Sequence, residues 1–409
     1  MRSPQTLVKP LVIGGLCAAL IAFAPSFIQA APEAGGWGPL IRGYNRTGQR
    51  LFQWLAKTPG NIVLSPYSIG TAMAMALAGA RGETEAEMAK ALSLEIPRSE
   101  VDAANAAVLS SIDRAAANSI QLRAADGLML ARQGGAVSDA YVAVLRRDYA
   151  ADVFAGTDAA TVNAWVRKRT AGKIDSIVNH LDPVTAMVLV DAIYFKAPWQ
   201  KEFAADATRA EPFYLRDGEV KVPMMRMESF FHLAARPGYE AIELPYTGER
   251  VSMVVMLPDA GAGTGEVLRR LDGDEMRQLL ADLHAPLHRV NLSLPRFKSS
   301  FAASLMEPFQ QMGMRRAFDL NAADFSGVTG RSPSEVPLAI SQIRHRAMID
   351  VAEQGTEAAA ATGIGTFTAS LQPQLETFRV DRPFLFAIID DETNAVLFEG
   401  RIDDPRQAS

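Results

Sequence analysis

The side chains able to do chemistry are few. Five histidines occur, His180, His232, His284, His288 and His345, and none lies in a His-Glu-x-x-His pattern. Gly-x-Ser-x-Gly, Ser-x-x-Lys and Walker-type loops are missing too. The usual sequence marks of metalloproteases, α/β hydrolases, β-lactamases and nucleoside triphosphatases are therefore absent. His284 and His288 stand four apart, as two metal ligands on one helix face would, but Pro286 between them would disrupt such a helix. No metal site is expected there. His345 sits on the approach to an apolar strand without a neighbouring nucleophile, and its plainest reading is a hydrogen-bonded interior histidine.

A stronger signal comes from residues with almost no chemistry. Positions 353–363 read Glu-Gln-Gly-Thr-Glu-Ala-Ala-Ala-Ala-Thr-Gly, with Ala358, Ala359, Ala360 and Ala361 between Thr356 and Thr362. Alanine has the best helix propensity, and Glu353, Gln354 and Glu357 are helix formers as well. Gly355 and Thr356 interrupt that pattern, and Gly363, Gly365, Thr366, Thr368 and Ser370 carry it into flexible and β-branched residues. On its own, the stretch is an exposed loop able to be helical or extended. Its alanines are small enough to slide between the strands of a packed sheet.

Such a loop needs a scaffold, and 409 residues with 48% hydrophobic content can bury an extensive core. The first third reads mainly as helices. After a strand-like Ile62-Val63-Leu64, Ser65-Pro66 opens an apolar helix through Leu77, with Gly82 expected to end it; further helices are expected over Thr84–Leu92 and Thr161–Arg169. Beyond residue 185 the pattern changes to short β-rich runs: Ala186–Phe195, Ala241–Leu244, Val251–Leu257, Val290–Leu294, Ala347–Val351, Leu385–Ile389 and Ala395–Glu399. Helices near 264–282 and 302–315 interrupt them. This is a segregated α+β organisation without βαβ alternation or internal repeats.

The N-terminus carries an export address. Arg2 and Lys9 precede the apolar run Leu11–Ala24, and Ser26-Phe27-Ile28-Gln29-Ala30 ends in a small residue, so residues 1–30 are expected to be a signal peptide cut after Ala30. The run is short for a membrane anchor, and Pro25 breaks it. Cys17, the only cysteine, leaves with the leader, so the mature chain has no disulfide and no thiol for nucleophilic or zinc chemistry. Loss of Arg2 and Lys9 takes the formal charge from -5 to -7, and nothing in that balance suggests a nucleic-acid partner. Residues 31–409 are expected to form one secreted domain, periplasmic or extracellular, that is free of the membrane.

Several segments, in order along the chain, resemble the motifs of the serpins, the family of suicide protease inhibitors. They are Asn61-Ile62-Val63-Leu64-Ser65-Pro66-Tyr67-Ser68-Ile69 with Met73 to Thr84; Val162-Asn163-Ala164-Trp165 with Thr170-Ala171-Gly172-Lys173-Ile174; and Asp191-Ala192-Ile193-Tyr194-Phe195-Lys196 with Trp199. Leu294-Pro295-Arg296-Phe297, Phe318 with Ala323-Asp324-Phe325-Ser326-Gly327, and Arg382-Pro383-Phe384-Leu385-Phe386 complete the set. Together they span nearly all of the mature chain.

The resemblance implies a large central sheet, a smaller barrel-like set of strands, surrounding helices and an exposed reactive loop at about 353–378. It implies no enzymatic activity and no cofactor, and a monomer whose partner is a target serine protease held as a covalent complex. The cleaved loop would enter the large sheet as a new strand, hinged over Glu353, Gly355, Thr356, Glu357, Ala358, Ala359, Ala360, Ala361 and Thr362. By the family's register the scissile bond is Ala369-Ser370, to within a few residues. The bait is small and apolar, with no Lys or Arg between Gln354 and Phe378, which suits elastase-like, subtilisin-like or chymotrypsin-like enzymes. Ser65, Pro66, Ser68, Asp191 and His345 match the family's central shutter, and Trp199, Arg296 and Glu353 match the point where the loop first enters. Asp191 departs from type, because the family usually has Asn there, and the expectation is that protonation tunes how readily the shutter opens. A non-inhibitory serpin acting as a binding protein or chaperone is the alternative.

Overall fold

The computed structural model describes residues 36–116, 120–130, 137–156, 158–182, 185–356 and 374–407. The expected signal peptide lies outside them. Among the described residues no helix is long and apolar enough to cross a membrane.

The N-terminal part is largely helical, with α1 (Gly38–Leu55), α2 (Pro66–Gly79), α3 (Gly82–Ala91), α4 (Arg98–Ala116), α5 (Asp139–Tyr149) and α6 (Ala159–Arg169). Strands β1 (Ile62–Leu64), β2 (Gln121–Leu130) and β3 (Asp152–Ala155) run between these helices. Then come β4 (Met187–Pro198), β5 (Arg209–Leu215), β6 (Gly218–Arg236), β7 (Tyr239–Pro245) and β8 (Val251–Pro258), α7 (Thr264–Arg270), α8 (Gly273–Asp282), β9 (His288–Pro295), β10 (Phe297–Ser304), α9 (Met306–Gln311) and α10 (Ser326–Thr329). The chain closes with β11 (Ile340–Ala352), β12 (Gly355–Thr356), β13 (Leu375–Arg379), β14 (Phe384–Asp390) and β15 (Ala395–Ile402). The α+β class stands.

Three boundaries differ from the sequence reading, each for a local reason. The apolar helix stops at Gly79, because Ala80 turns extended and the Arg81 N–H donates to the Asp324 carbonyl at 2.9 Å; Gly82 begins α3 rather than ending α2. The helix expected at 264–282 is two helices, because the Asp272 carboxylate accepts from the N–H groups of Asp274 and Glu275 at 3.0 and 2.8 Å and so caps a new start. The helix expected from 302 begins only at Met306, since Ala302, Ala303 and Ser304 pair with Arg346, His345 and Arg344 of β11. There, ladder hydrogen bonds override alanine's helix propensity.

One sheet has the order β10-β11-β12-β4-β2-β3; the remaining strands form a nine-stranded sheet, in the order β1-β15-β14-β8-β7-β6-β9-β13 with β5 beside β6. Strand β6 links two parts of that sheet, pairing with β9 as far as Phe231 and with β7 from His232 onward. Aromatic contacts join the two sheets: Phe195 of β4 meets Phe398 of β15 at 5.8 Å between ring centroids, and Phe297 of β10 meets Phe384 of β14 at 5.6 Å. Helix α2 is buried at every position, as its run of Ile, Ala, Met and Leu requires.

The feature that positions the site is a fork. On one side β4 pairs antiparallel with β2; on the other it pairs parallel with β11 from Met187↔Ile340 to Tyr194↔Met348. Past Tyr194 and Met348 the strands part, and β12 lies between them, antiparallel to both. Thr356 is opposite Val351 and Ala197, and Gly355 is opposite Ala352 and Pro198.

Candidate functional site: the fork and the seam beneath it

Gly355 is at the tip of the fork with φ +134, a conformation L side chains rarely adopt, and a Cβ there would lie 2.5 Å from Pro198 Cα and 2.7 Å from Trp199 N. Only glycine lets the chain turn back between these strands. Thr356 follows, fully buried, its hydroxyl 2.9 Å from the Tyr246 hydroxyl. Tyr246 stacks on Trp199 at 4.5 Å, and the Trp199 indole N–H donates to the Ala352 carbonyl at 3.0 Å while its backbone N–H donates to the Gln354 carbonyl. Glu353 is buried beside Arg296, with which it forms an ion pair, and accepts from the Thr208 hydroxyl at 2.7 Å. Burial alone would raise the Glu353 carboxyl, but these two donors outweigh it and hold the group below the usual carboxylate range. The structure thus brings Trp199, Arg296 and Glu353 together, and adds Tyr246 and Thr208, which the sequence did not single out.

Below the fork the seam between β4 and β11 is closed by a buried polar cluster. Pro66 occupies the first helical turn of α2, where its missing N–H is harmless, and Ser65 caps that turn by accepting from the Ser68 N–H at 3.1 Å. The Ser68 hydroxyl lies 2.5 Å from Asp191 Oδ1 and 3.1 Å from Asp126 Oδ1. His345 Nδ1 is 2.8 Å from Asp191 Oδ2, directly across the β11–β4 register. His345 is fully buried and its Nε2 has no hydrogen-bond partner, so Nδ1 carries the hydrogen and donates to the carboxylate. Ser65, Ser68, Asp191 and His345 therefore form one cluster with Pro66 at its helix start.

Asp126 is the residue sequence reasoning missed. It lies opposite Asp191 in the β2–β4 ladder, and burial together with the Asp191 charge pushes its carboxyl well above the usual range. The signal was present as a lone acid within the otherwise uncharged run Ala124-Ala125-Asp126-Gly127-Leu128-Met129-Leu130. The remaining histidines are elsewhere and apart: His284 Nδ1 meets the Leu280 carbonyl at 2.6 Å, and His288 on β9 meets Glu376 at 2.7 Å. Glu357, Ala358, Ala359, Ala360, Ala361, Thr362 and the expected scissile pair Ala369 and Ser370 lie outside the described residues.

The family described as serpin, a serine protease inhibitor, matches residues 42–405, and the chain belongs to that family. It is 36% identical over 366 residues to the leukocyte elastase inhibitor of Bos taurus, covering 85% of this chain and 93% of that protein. An uncharacterised serpin-like protein of Thermococcus kodakarensis is 34% identical over 377 residues, 90% of this chain and 86% of that protein. Among solved structures, the thermophilic serpin tengpin in its native state aligns with a TM-score of 0.80 at 28% identity, covering 89% of this chain and 94% of that chain. Serpins are protease inhibitors rather than enzymes.

Proposed function

We propose that this serpin is an irreversible suicide inhibitor of serine proteases that traps the acyl-enzyme by inserting its cleaved loop into the forked sheet. The observation that carries this reading is β12: two loop residues already stand between β11 and β4, hydrogen-bonded in register to both. The next residues need only continue that ladder.

Continuing the two antiparallel registers gives the same answer from either side. Residue 362 arrives opposite both His345 and Asp191, so Thr362 would place its hydroxyl between the groups whose contact insertion breaks. Thr356 faces inward onto Tyr246, and with a period of two Ala358, Ala360 and Thr362 would follow it, leaving Glu357, Ala359 and Ala361 toward solvent. The inward set is small enough to bury.

In the chemical step the protease serine attacks the Ala369 carbonyl, forming an ester and freeing the Ser370 amine. Insertion of the 14 residues from Thr356 to Ala369 extends a strand on the order of 45 Å at about 3.3 Å per residue. The tethered enzyme is carried along. Displacing its catalytic groups by as little as ~1 Å costs about a hundredfold in rate, enough to leave the ester unhydrolysed.

The bait, Phe367, Thr368, Ala369, Ser370 and Leu371, and the leukocyte elastase inhibitors among the relatives support an elastase-like target, with subtilisin-like and chymotrypsin-like enzymes as the neighbouring choices. The sequence of residues 1–30 supports export, so the mature protein acts as a monomer outside the cytoplasm. The mature protein should be incubated with a panel of serine proteases and the released C-terminal peptide sequenced. A complex stable in denaturing gels, with a new N-terminus at or near Ser370, is expected. Cleavage without any such complex would overturn the reading in favour of a non-inhibitory member.

A further inference from the structure

Asp126 and Asp191 are both buried, face one another across the β2–β4 ladder, and share one hydroxyl, since Ser68 Oγ is within hydrogen-bond distance of an oxygen from each. A hydroxyl has a single proton to donate. Were both carboxyls ionised, one of these two contacts would be oxygen against oxygen with nothing between. His345 does not supply the missing hydrogen, because its Nδ1 serves the other Asp191 oxygen and its Nε2 has no partner. The second proton belongs on a carboxyl. We propose that Asp126 and Asp191 form an acid pair holding one proton while the sheet is closed, and that losing this proton loosens the seam through which the loop inserts.

The surroundings favour keeping the proton. Ser68 and Tyr67 of α2 and His345 of β11 face the pair, and Arg169, at the end of α6, is the cation on that side. Arg169 is already held by Asp152 at 3.6 Å and the Ala150 carbonyl at 3.0 Å. A cavity of about 170 Å³ beside Asp126 brings Asp113 of α4 to the same side, together with Asp148 of α5, which is already paired with Arg147 at 2.6 Å. The raised Asp126 carboxyl agrees with this geometry.

Strand insertion separates β11 from β4 and therefore His345 from Asp191, while the β2–β4 ladder stays intact. A second negative charge in the pair favours whichever state lets water reach it. Parting β11 from β4 uncovers Asp191, so raising the pH promotes opening. The sign follows from linkage: a carboxyl whose closed-state pKa is raised stabilises the closed form while protonated, and that stability is lost as pH rises. The acid pair itself does not depend on the inhibitor reading; only its consequence for insertion does.

The test uses the intact, uncleaved chain between about pH 5 and about pH 9, a window spanning ordinary carboxylate and histidine titrations. Melting and heat-induced polymerisation are followed for the native sequence, Asp126→Asn and Asp191→Asn, with infrared spectra at neutral pH. The protonated-carboxyl band of the native sequence is expected to lose the pair's share in both variants, leaving that of Glu399 and Asp391. Polymerisation of the native sequence is expected to quicken by up to about tenfold per pH unit once the proton leaves, with a shallower rise in both variants, where only the slope of groups such as Glu399 and Asp391 remains. An unchanged band in both variants, or three parallel pH profiles, overturns the proposal. Should an Asn variant fail to fold, an NMR titration of the assigned Asp126 and Asp191 carboxyl carbons in the unmodified chain decides, and the proposal fails if neither stays protonated at neutral pH. Infrared and melting do not involve loop cleavage, so their failure leaves the inhibitor reading standing, and the reverse also holds.

Discussion

Thr356 and Gly355 carry the account at the level of single side chains, because both are already seated between strands. Thr356→Arg would force a cation into a fully buried site against Tyr246 and Trp199; even a neutral unpaired polar group costs several kcal/mol in apolar surroundings. The variant is expected to be cleaved as a substrate, with covalent complex in denaturing gels falling at least tenfold; undiminished complex would count against the inserted hinge. Gly355→Ala is expected to lower the melting temperature of the intact form, its strained backbone costing about 1–3 kcal/mol. Glu399 gives a separate check. It is buried on β15 opposite Leu64 and Ala387, neither carboxyl oxygen has a partner, and burial pushes its pKa up to about 8. Because the folded value is raised, stability falls as pH climbs from the ordinary carboxylate range toward that value, by roughly 1.4 kcal/mol per pH unit for one group. Asp391, pushed up to about 7 by burial and by Glu243, adds a slope of the same sign. Glu399→Met is expected to raise the melting temperature at neutral pH and remove its share of the slope, as melting curves across pH would reveal. What the sequence disclosed at this scale was uneven. Asp191 could be named because it lies in a recognisable motif and His345 because it matches a shutter position of the family, whereas Asp126 acquires meaning only through the ladder that sets it against Asp191.

Strands β4, β11 and β12 convert those residues into a device: a parallel pair zipped as far as Tyr194 and Met348, then held apart by two residues of a third strand. The ion pair between Arg296 and Glu353 anchors the base of that third strand. Since the Glu353 carboxyl is held below its ordinary value, its contribution is present above the usual carboxylate range and is lost as pH falls through the lowered value. Arg296→Ala is expected to leave Glu353 without its cation, free the hinge from the fork and speed protease cleavage of the loop without a matching rise in complex. Stopped cleavage assays compared with complex yield would measure this. Element types were largely legible, since β7, β8, β9, β14 and β15 grew from short β-rich runs with turn residues at their ends. Strand β10 was not, because its Ala302 and Ala303 favour a helix until β11 lies alongside. The 19-residue β6 was hidden as well, since its pairing partner changes partway along and no single face stays buried.

For the molecule as a whole, the proposed inhibition requires a native form poised at the fork rather than at rest. Insertion would exchange one direct β11–β4 ladder for two ladders against a new central strand, adding hydrogen bonds and buried backbone at every step. On that reading the intact protein would be held back from this gain by its chain connection to β12 on one side and to β13, paired in parallel to β9, on the other. Its persistence would then be kinetic, set by the barrier to opening the seam. Nicking the loop within Phe367–Leu371 would remove the second connection. The most direct test is to cut the purified mature protein there with a protease it does not trap and compare thermal unfolding of intact and cut forms. The account requires the cut form to melt far above the intact one, with its N-terminal loop segment protected from further proteolysis. Equal melting temperatures, or a loop segment that remains digestible, would contradict it.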